Sequence, residues 1–260
     1  MDQVTPKRIV EYKNKRYADG VMPATINREL TTLKKAFNLA RREWEWCSDN
    51  PVTRVSMEKE NNARDRWLTR HEQARLLAPA AEWLEDIVIF AVNTGLRMGE
   101  SLALTWGAVD FSRWTLMVLR SKNGELRTIP LNRTVLELLG KRMKIRPAST
   151  EHVFWSEART QLDGPNLRRA FRLILKKSGL ADFHFHDLRH TFATRMVQAG
   201  VDLYKVQRLL GHKSPQMTQR YAHHNPESLR DGVDALELAG TVSTNLAQSV
   251  DSERPLSATC

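Results

Sequence analysis

HFHDLRHTFATRMVQAGVDLYKVQRLLGHKSPQMTQRY, residues 184–221, is the stretch on which the reading of the whole chain turns. It contains His186, Arg189, His190, His212, Arg220 and Tyr221, groups that a phosphodiester-transfer site can use. Leu188, Phe192, Met196 and Val197 recur at helical spacing, so His186 and Arg189 share a face at the start of a helix. A second apolar run, Leu203, Val206, Leu209 and Leu210, predicts another helix stopped by Gly211, with His212 in the turn that follows. Ser214-Pro215 reads as an N-cap with proline at the first helical position, opening a short helix that carries Tyr221. Such an arrangement holds one tyrosine near two histidines and an arginine, which packing alone does not require.

Upstream of this stretch, TGLRMGE (residues 94–100) places Arg97 and Glu100 at the start of a helix. The run Trp83, Leu84, Ile87, Val88, Phe90 and Ala91 before it predicts a strongly apolar helix ending near Thr94-Gly95. Thr69 and Glu72 form a capping-box pattern. Residues from Trp114 to Leu119 and from Arg127 to Leu131 alternate as strands around Asn123-Gly124, a strong hairpin signal, with Lys122 at its lip. A helix from Thr134 to Met143, a short apolar HVFW and a basic helix from Asn166 to Lys177 complete this part.

The N-terminal part reads as a small helical unit from Pro6 to about Ala40. Thr25 is expected to cap an amphipathic helix with Leu30, Leu33, Phe37 and Ala40 on one side and Arg28, Lys34, Lys35 and Arg41 on the rest. Asn50-Pro51 ends the segment. Residues 58–66 read as a linker, polar and without apolar periodicity. The expected organisation is a helical unit over 1–57, that linker, a second domain over 67–238 and a mobile tail over 239–260. Leu229, Val233 and Leu236 have helical spacing near the end of the second domain.

Lysine plus arginine number 40 against 30 acidic residues, a formal charge of +10, which points to a polyanion such as nucleic acid, with an anionic membrane second. No apolar run approaches the roughly 18 residues a membrane span needs, and the N-terminus lacks a signal-peptide core. Two cysteines, Cys47 and Cys260, make neither a disulfide framework nor a zinc cluster, so a cytoplasmic setting is expected. The tryptophans near 44–46 and 106–114 and Tyr204 are expected in the core, and His223 and His224 in solvent. His186 and His190 stand at a zinc-pair spacing, but the glutamate of a metalloprotease motif is absent.

TGLRMGE, Lys122 beside a hairpin turn, HDLRHTFAT, LLGH ending at His212 and Tyr221 nine residues on together resemble the tyrosine recombinases, the phage integrase family. The likeness covers residues 64–238, and ATINRELTTLKKAFNLA through NPV resembles the core-site-binding domain of that family. It implies a mainly α fold with a small antiparallel β-sheet (α+β), a helical DNA-binding domain and a catalytic domain. The helical part reads as shortened at its start, with no further arm-site-binding domain before it.

The resemblance further implies a site-specific recombinase or integrase that cuts and rejoins DNA through a 3′-phosphotyrosine. Arg97 and Arg189 would clamp the scissile phosphate, Lys122 would be the general acid, His186 and His212 supporting histidines, and Tyr221 the nucleophile. From the residues themselves, Glu100, three positions after Arg97, is expected to orient that arginine or to pair locally, and His190 to act as a hydrogen-bonding support. The reaction would use no metal, ATP or other cofactor. The partners would be double-stranded DNA, three further copies in a tetramer formed on DNA from free monomers, and accessory DNA-bending proteins.

The chemistry suits these residue types. Guanidiniums meet the charge that builds on phosphate oxygens with paired hydrogen bonds. Tyrosine must lose its proton as it attacks, and a lysine on a hairpin tip can protonate the leaving oxygen. Arg28, Lys34, Lys35, Arg41, Arg168, Arg169 and Arg172 are the candidate DNA contacts. Three alternatives stay open: a DNA-binding regulator without chemistry, a type IB topoisomerase and a metal-dependent nuclease.

Overall fold

The structure, a computed structural model, describes residues 3–60, 65–118, 126–224 and Val233. The chain forms two compact units, residues 1–64 and 65–260, each with its own core.

In the first unit, α1 (Pro6–Ala18) starts where the Thr5 hydroxyl accepts from the Arg8 N–H at 3.3 Å. Helix α2 (Pro23–Arg42) begins earlier than Thr25: Pro23 has the φ a helix needs and no N–H to leave unpaired, so Met22 takes the cap position. Its inward stripe, Ile26, Leu30 and Phe37, packs with Ile9 and Val52. Trp44 and Trp46, expected in the core, are 47% and 65% exposed and stack on each other at 4.7 Å. The stripe has filled this small core by Ala40, and the chain leaves the helix before reaching them.

The polar stretch read as a linker is bound to the helical unit as far as Glu60. Lys13 pairs with Glu58, the Tyr17 hydroxyl donates to the same carboxylate at 2.6 Å, and Asn27 donates to Glu60 at 2.6 Å. Polar composition marks a free linker only where the charges have no local partners.

The second unit is mainly helical around a small sheet, the expected fold class. Helix α3 (Arg70–Leu77) opens on the Thr69–Glu72 capping box. Helix α4 (Glu82–Thr94) is apolar nearly all round, burying Leu84, Ile87, Val88, Phe90 and Ala91, and packs against α6 (Arg133–Lys144) and α8 (Asp187–Gln198). Between α4 and α6 come α5 (Met98–Leu102) and the antiparallel strands β1 (Val109–Asp110), β2 (Thr115–Val118) and β3 (Arg127–Pro130), in that spatial order. Leu116 opposite Ile129 gives the sheet its buried face. Helices α7 (Gly164–Ser178), α9 (Leu203–Leu210) and α10 (Gln216–Gln219) complete the unit, followed by a 3₁₀ turn, Ala222–His224.

One backbone position sets the site. Gly95 ends α4 at φ +64, a left-handed conformation that glycine adopts without a Cβ penalty. A Cβ there would collide with the Phe192 ring of α8. Glycine therefore lets the end of α4 press against α8, which brings the Arg97 segment beside Arg189.

Some basic residues serve packing. Arg142 is buried, paired with Asp86 at 2.8 Å and lying over the Phe154 and Trp155 rings. Trp106 is buried as expected, but Trp114 is 54% exposed, at φ +57 in the turn before β2. Tyr204 is 64% exposed, because α9 turns Val206 and Leu210 inward and leaves residue 204 on the opposite face. Lys122, the Asn123-Gly124 turn, the tail and all of the Leu229–Leu236 segment except Val233 lie outside the described residues.

Candidate active site

Arg97 occupies the N-cap position of α5. Its N–H donates to Glu100 Oε2 at 2.9 Å and its guanidinium to Glu100 Oε1 at 3.0 Å. The same carboxylate receives both ends of Arg127 at the start of β3, at 3.0 and 2.7 Å. Glu100 is buried, and burial by itself would raise its pKa. The Arg127 bonds and the Arg97 backbone N–H outweigh that and hold it below the ordinary glutamate value, as an anion fixing two guanidiniums. Arg127 was not picked out in the sequence, where it reads only as the first residue of a strand.

Arg189 comes from the first turn of α8 and is 3% exposed. It donates to the Gly95 carbonyl at 2.7 Å and to the Leu210 carbonyl at 2.7 Å. One guanidinium thus ties the end of α4 to the end of α9, next to the residues that lead to Arg97 and His212. Burial, followed by the positive charge of Arg97, depresses its pKa to about 10, so it remains protonated at neutral pH.

The imidazoles are held neutral. His186 lies below its ordinary value, first through burial and then through Arg189. Burial takes His190 to about 4, helped by His186, and takes His212 to about 3, helped by Arg189 and Arg97. Gly211 stops α9 at φ +66 and releases His212 into the turn, where its Nδ1 is 2.9 Å from the Thr218 hydroxyl.

Tyr221 departs from expectation in its local setting. Pro215, not Ser214, holds the cap position of α10, which ends at Gln219, so Tyr221 sits just beyond the helix. Its ring is 3% exposed among Phe192, Val197, Val206 and Leu210, and its hydroxyl is 2.6 Å from His190 Nδ1. Burial raises the phenol pKa, with Arg220 and Arg189 opposing, so the group is protonated at neutral pH.

The structure therefore gathers Arg97, Glu100, His186, Arg189, His190, His212 and Tyr221 into one neighbourhood. Beside it runs a groove lined by Met98, Arg168, Phe171, Arg172, His184 and His186. Arg168, Arg169 and Arg172 are exposed on α7; Arg28, Lys35 and Arg41 are exposed on α2, with Lys34 half-buried. Lys122 lies outside the described residues. His186 and His190 face each other edge-on at 5.2 Å, but among the described residues no group of three metal-type side chains forms around them.

The phage integrase family pattern matches residues 66–228, and the phage integrase N-terminal domain pattern matches residues 1–59. The integrase of Salmonella phage P22 is 34% identical over 247 residues, covering 88% of this chain and 62% of that protein. The chain thus spans less than two thirds of that relative's length. A lambda integrase fragment, solved as a dimer bound to a core site, superposes with a TM-score of 0.70 at 28% identity, over 83% of this chain and 81% of that one. Lambda integrase solved as a tetramer on a Holliday junction gives 0.69 at 27% identity, over 83% and 66%. With the family pattern matching both units, the chain belongs to the phage integrase family of tyrosine recombinases.

Proposed function

We propose that this chain is a site-specific DNA recombinase that cuts and rejoins strands through a covalent 3′-phosphotyrosine at Tyr221, without metal or ATP. The observation that carries the reading is a buried phenol in contact with His190 and beside Arg189, with Arg97 and the neutral imidazoles of His186 and His212 clustered around that arginine.

In the proposed reaction, Arg97 and Arg189 bind the non-bridging oxygens of the scissile phosphate. Glu100 holds Arg97 from behind, which fixes the guanidinium before the charge develops. The Tyr221 hydroxyl gives up its proton to a neighbouring imidazole and attacks phosphorus. The bond to the 5′ oxygen breaks, and that oxygen takes a proton from Lys122. The 3′-phosphotyrosine conserves the phosphodiester bond energy, so attack by a 5′ hydroxyl from a partner strand reverses the step and restores tyrosine. His212 and His186 donate to the phosphate or to the attacking oxygen, their depressed pKa values keeping them neutral.

Exposed arginines on α7 bind DNA phosphates beside the site, and the basic face of α2 supplies further contacts. Recombination joins two duplexes by four cleavages, so free monomers assemble as a tetramer on DNA, with DNA-bending proteins assisting. Lambda integrase, solved as a tetramer on a Holliday junction, supports the tetramer on DNA. Among the described residues no helix is long and apolar enough to cross a membrane, and the enzyme acts on DNA in the cytoplasm.

The test uses a duplex nicked beside the scissile phosphate, built on the site recovered by selecting bound fragments. Wild-type protein forms a covalent protein–DNA adduct in the presence of EDTA, and Tyr221→Phe binds without forming it. DNA binding without any adduct would identify a regulator instead, and an EDTA-sensitive cut without an adduct would identify a nuclease.

A further inference from the structure

His223 and His224 follow Tyr221 at once, in the 3₁₀ turn Ala222–His224. Both rings turn to one carboxylate at the start of the second unit. His223 Nε2 is 2.8 Å from Asp65 Oδ2, and His224 Nε2 is 2.9 Å from Asp65 Oδ1. One ligand-type atom from each of the three residues lies within 4.8 Å of the other two, and the two imidazole centroids are 4.0 Å apart. None of the three has a part in the reaction proposed above.

Simple solvation does not account for the arrangement. The His224 side chain is 10% exposed, with the Trp67 ring edge-on at 6.2 Å, whereas His223 and Asp65 are 56% and 55% exposed. The group therefore has a closed side and an open one. Adjacent histidines bring two Nε2 atoms toward the same point only when the backbone turns between them, and the 3₁₀ turn does this.

We propose that Asp65, His223 and His224 form a binding site for a divalent transition-metal ion of the zinc class. Two imidazoles and one carboxylate suit zinc, cobalt or nickel and are poor for magnesium or calcium, which prefer all-oxygen shells. Zinc bonds of roughly 2.0–2.1 Å place tetrahedral ligand atoms about 3.3 Å apart. The observed separations of 2.8 and 2.9 Å are imidazole N–H groups donating to the carboxylate, so an ion enters by displacing those two protons while the ligand atoms move apart by about half an ångström. The exposed face leaves room for a water as fourth ligand.

The site has a structural consequence. Leu68, three residues after Asp65, donates its N–H to the Thr191 hydroxyl on α8, and Arg195 of α8 donates to the Leu68 carbonyl. A metal held by Asp65, His223 and His224 would fasten the segment leaving Tyr221 to this same anchored segment. It would act on the position of the tyrosine, apart from the reacting atoms.

The test is titration of the full chain, without DNA, with Zn²⁺ by calorimetry and with Co²⁺ by visible absorption. One equivalent should bind, with the intense bands of four-coordinate cobalt. His224→Ala and Asp65→Ala should each weaken binding by more than the roughly 10–100-fold typical of losing a residue behind a ligand. The double variant His186→Ala/His190→Ala should keep the cobalt spectrum, and circular dichroism should show each variant folded. Absence of stoichiometric binding by the wild type would overturn the proposal. So would unchanged binding in both ligand variants, or loss of binding only in the double variant. A ligand variant that fails to fold is replaced by His223→Gln, read the same way. Because no DNA is present, failure here leaves the strand-transfer reading untouched.

Discussion

Tyr221 and His190 are joined by a 2.6 Å contact between the phenol oxygen and Nδ1, inside a cluster where the phenol ring is 3% exposed. The tyrosine in the free chain is thus paired and buried. His190→Ala leaves that hydroxyl without its partner, which costs about 1–3 kcal/mol. Thermal unfolding should show a drop of roughly 2–4 °C per kcal/mol for a unit of this size. An unchanged midpoint would show that the contact contributes nothing.

Glu100 fixes Arg97 and Arg127 through both of its oxygens. Removing one member of a buried charged cluster typically costs about 3–5 kcal/mol, so Glu100→Ala should be strongly destabilised. Glu100→Gln keeps the shape and part of the hydrogen bonding. It should fold and bind DNA nearly normally yet cleave at a reduced rate, because Arg97 is no longer held by a charge. Equal losses in binding and cleavage would point to a purely structural role.

Arg189 spans the Gly95 and Leu210 carbonyls with two arms of one planar group. Arg189→Lys retains a positive charge but cannot make both bonds at once. Cleavage should fall by roughly 10²–10³-fold, the usual cost of losing a preorganised donor. Arg97→Ala should fall comparably. Single-turnover cleavage rates within a few-fold of wild type would remove either residue from the site.

His190 and His212 have folded-state pKa values of about 4 and about 3, lowered mainly by burial. In the unfolded chain they bind protons near pH 6.5, so between those limits the unfolded state carries more protons. Their contribution to stability is complete above about pH 6.5 and is lost progressively as pH falls toward 4 and then 3. Carboxylates also titrate below about pH 4.5, so the interval from 6.5 to 4.5 isolates the histidines. Unfolding midpoints should decline across it, and His212→Asn should make the decline shallower. A flat profile would contradict the buried, neutral state.

DNA affinity should depend steeply on salt, because phosphate contacts release counterions. Six such contacts lower affinity by roughly 10³-fold between 50 and 200 mM salt. Arg168→Ala, Arg169→Ala and Arg172→Ala should each reduce the slope of log K against log salt by about one. A variant with an unchanged slope would show that its arginine does not meet a phosphate.

Much of this was legible in the sequence where a local rule had no competitor. The Thr69–Glu72 capping box, the stop at Gly95 and the pairing of Arg97 with Glu100 follow from spacing alone. Arg189 and Tyr221 stand out by their neighbours in sequence. Long-range facts were hidden. That Arg127 would share Glu100 depends on how β3 lies against α5, which no local pattern encodes. The same holds for Asp65 meeting His223 and His224 across more than 150 residues. Aromatic burial misled for a different reason: Trp44, Trp46 and Tyr204 are apolar by type, but their elements had already turned other residues inward.

The central claim is that the phenol at position 221 becomes joined to DNA. Adduct trapped on nicked duplex should be digested with nuclease and trypsin and read by mass spectrometry. A nucleotide mass on the peptide running from Tyr221 to Arg230, attached through a 3′ phosphate, is the predicted result. The same mass on Tyr204 or on a serine, or a 5′ linkage, would contradict it.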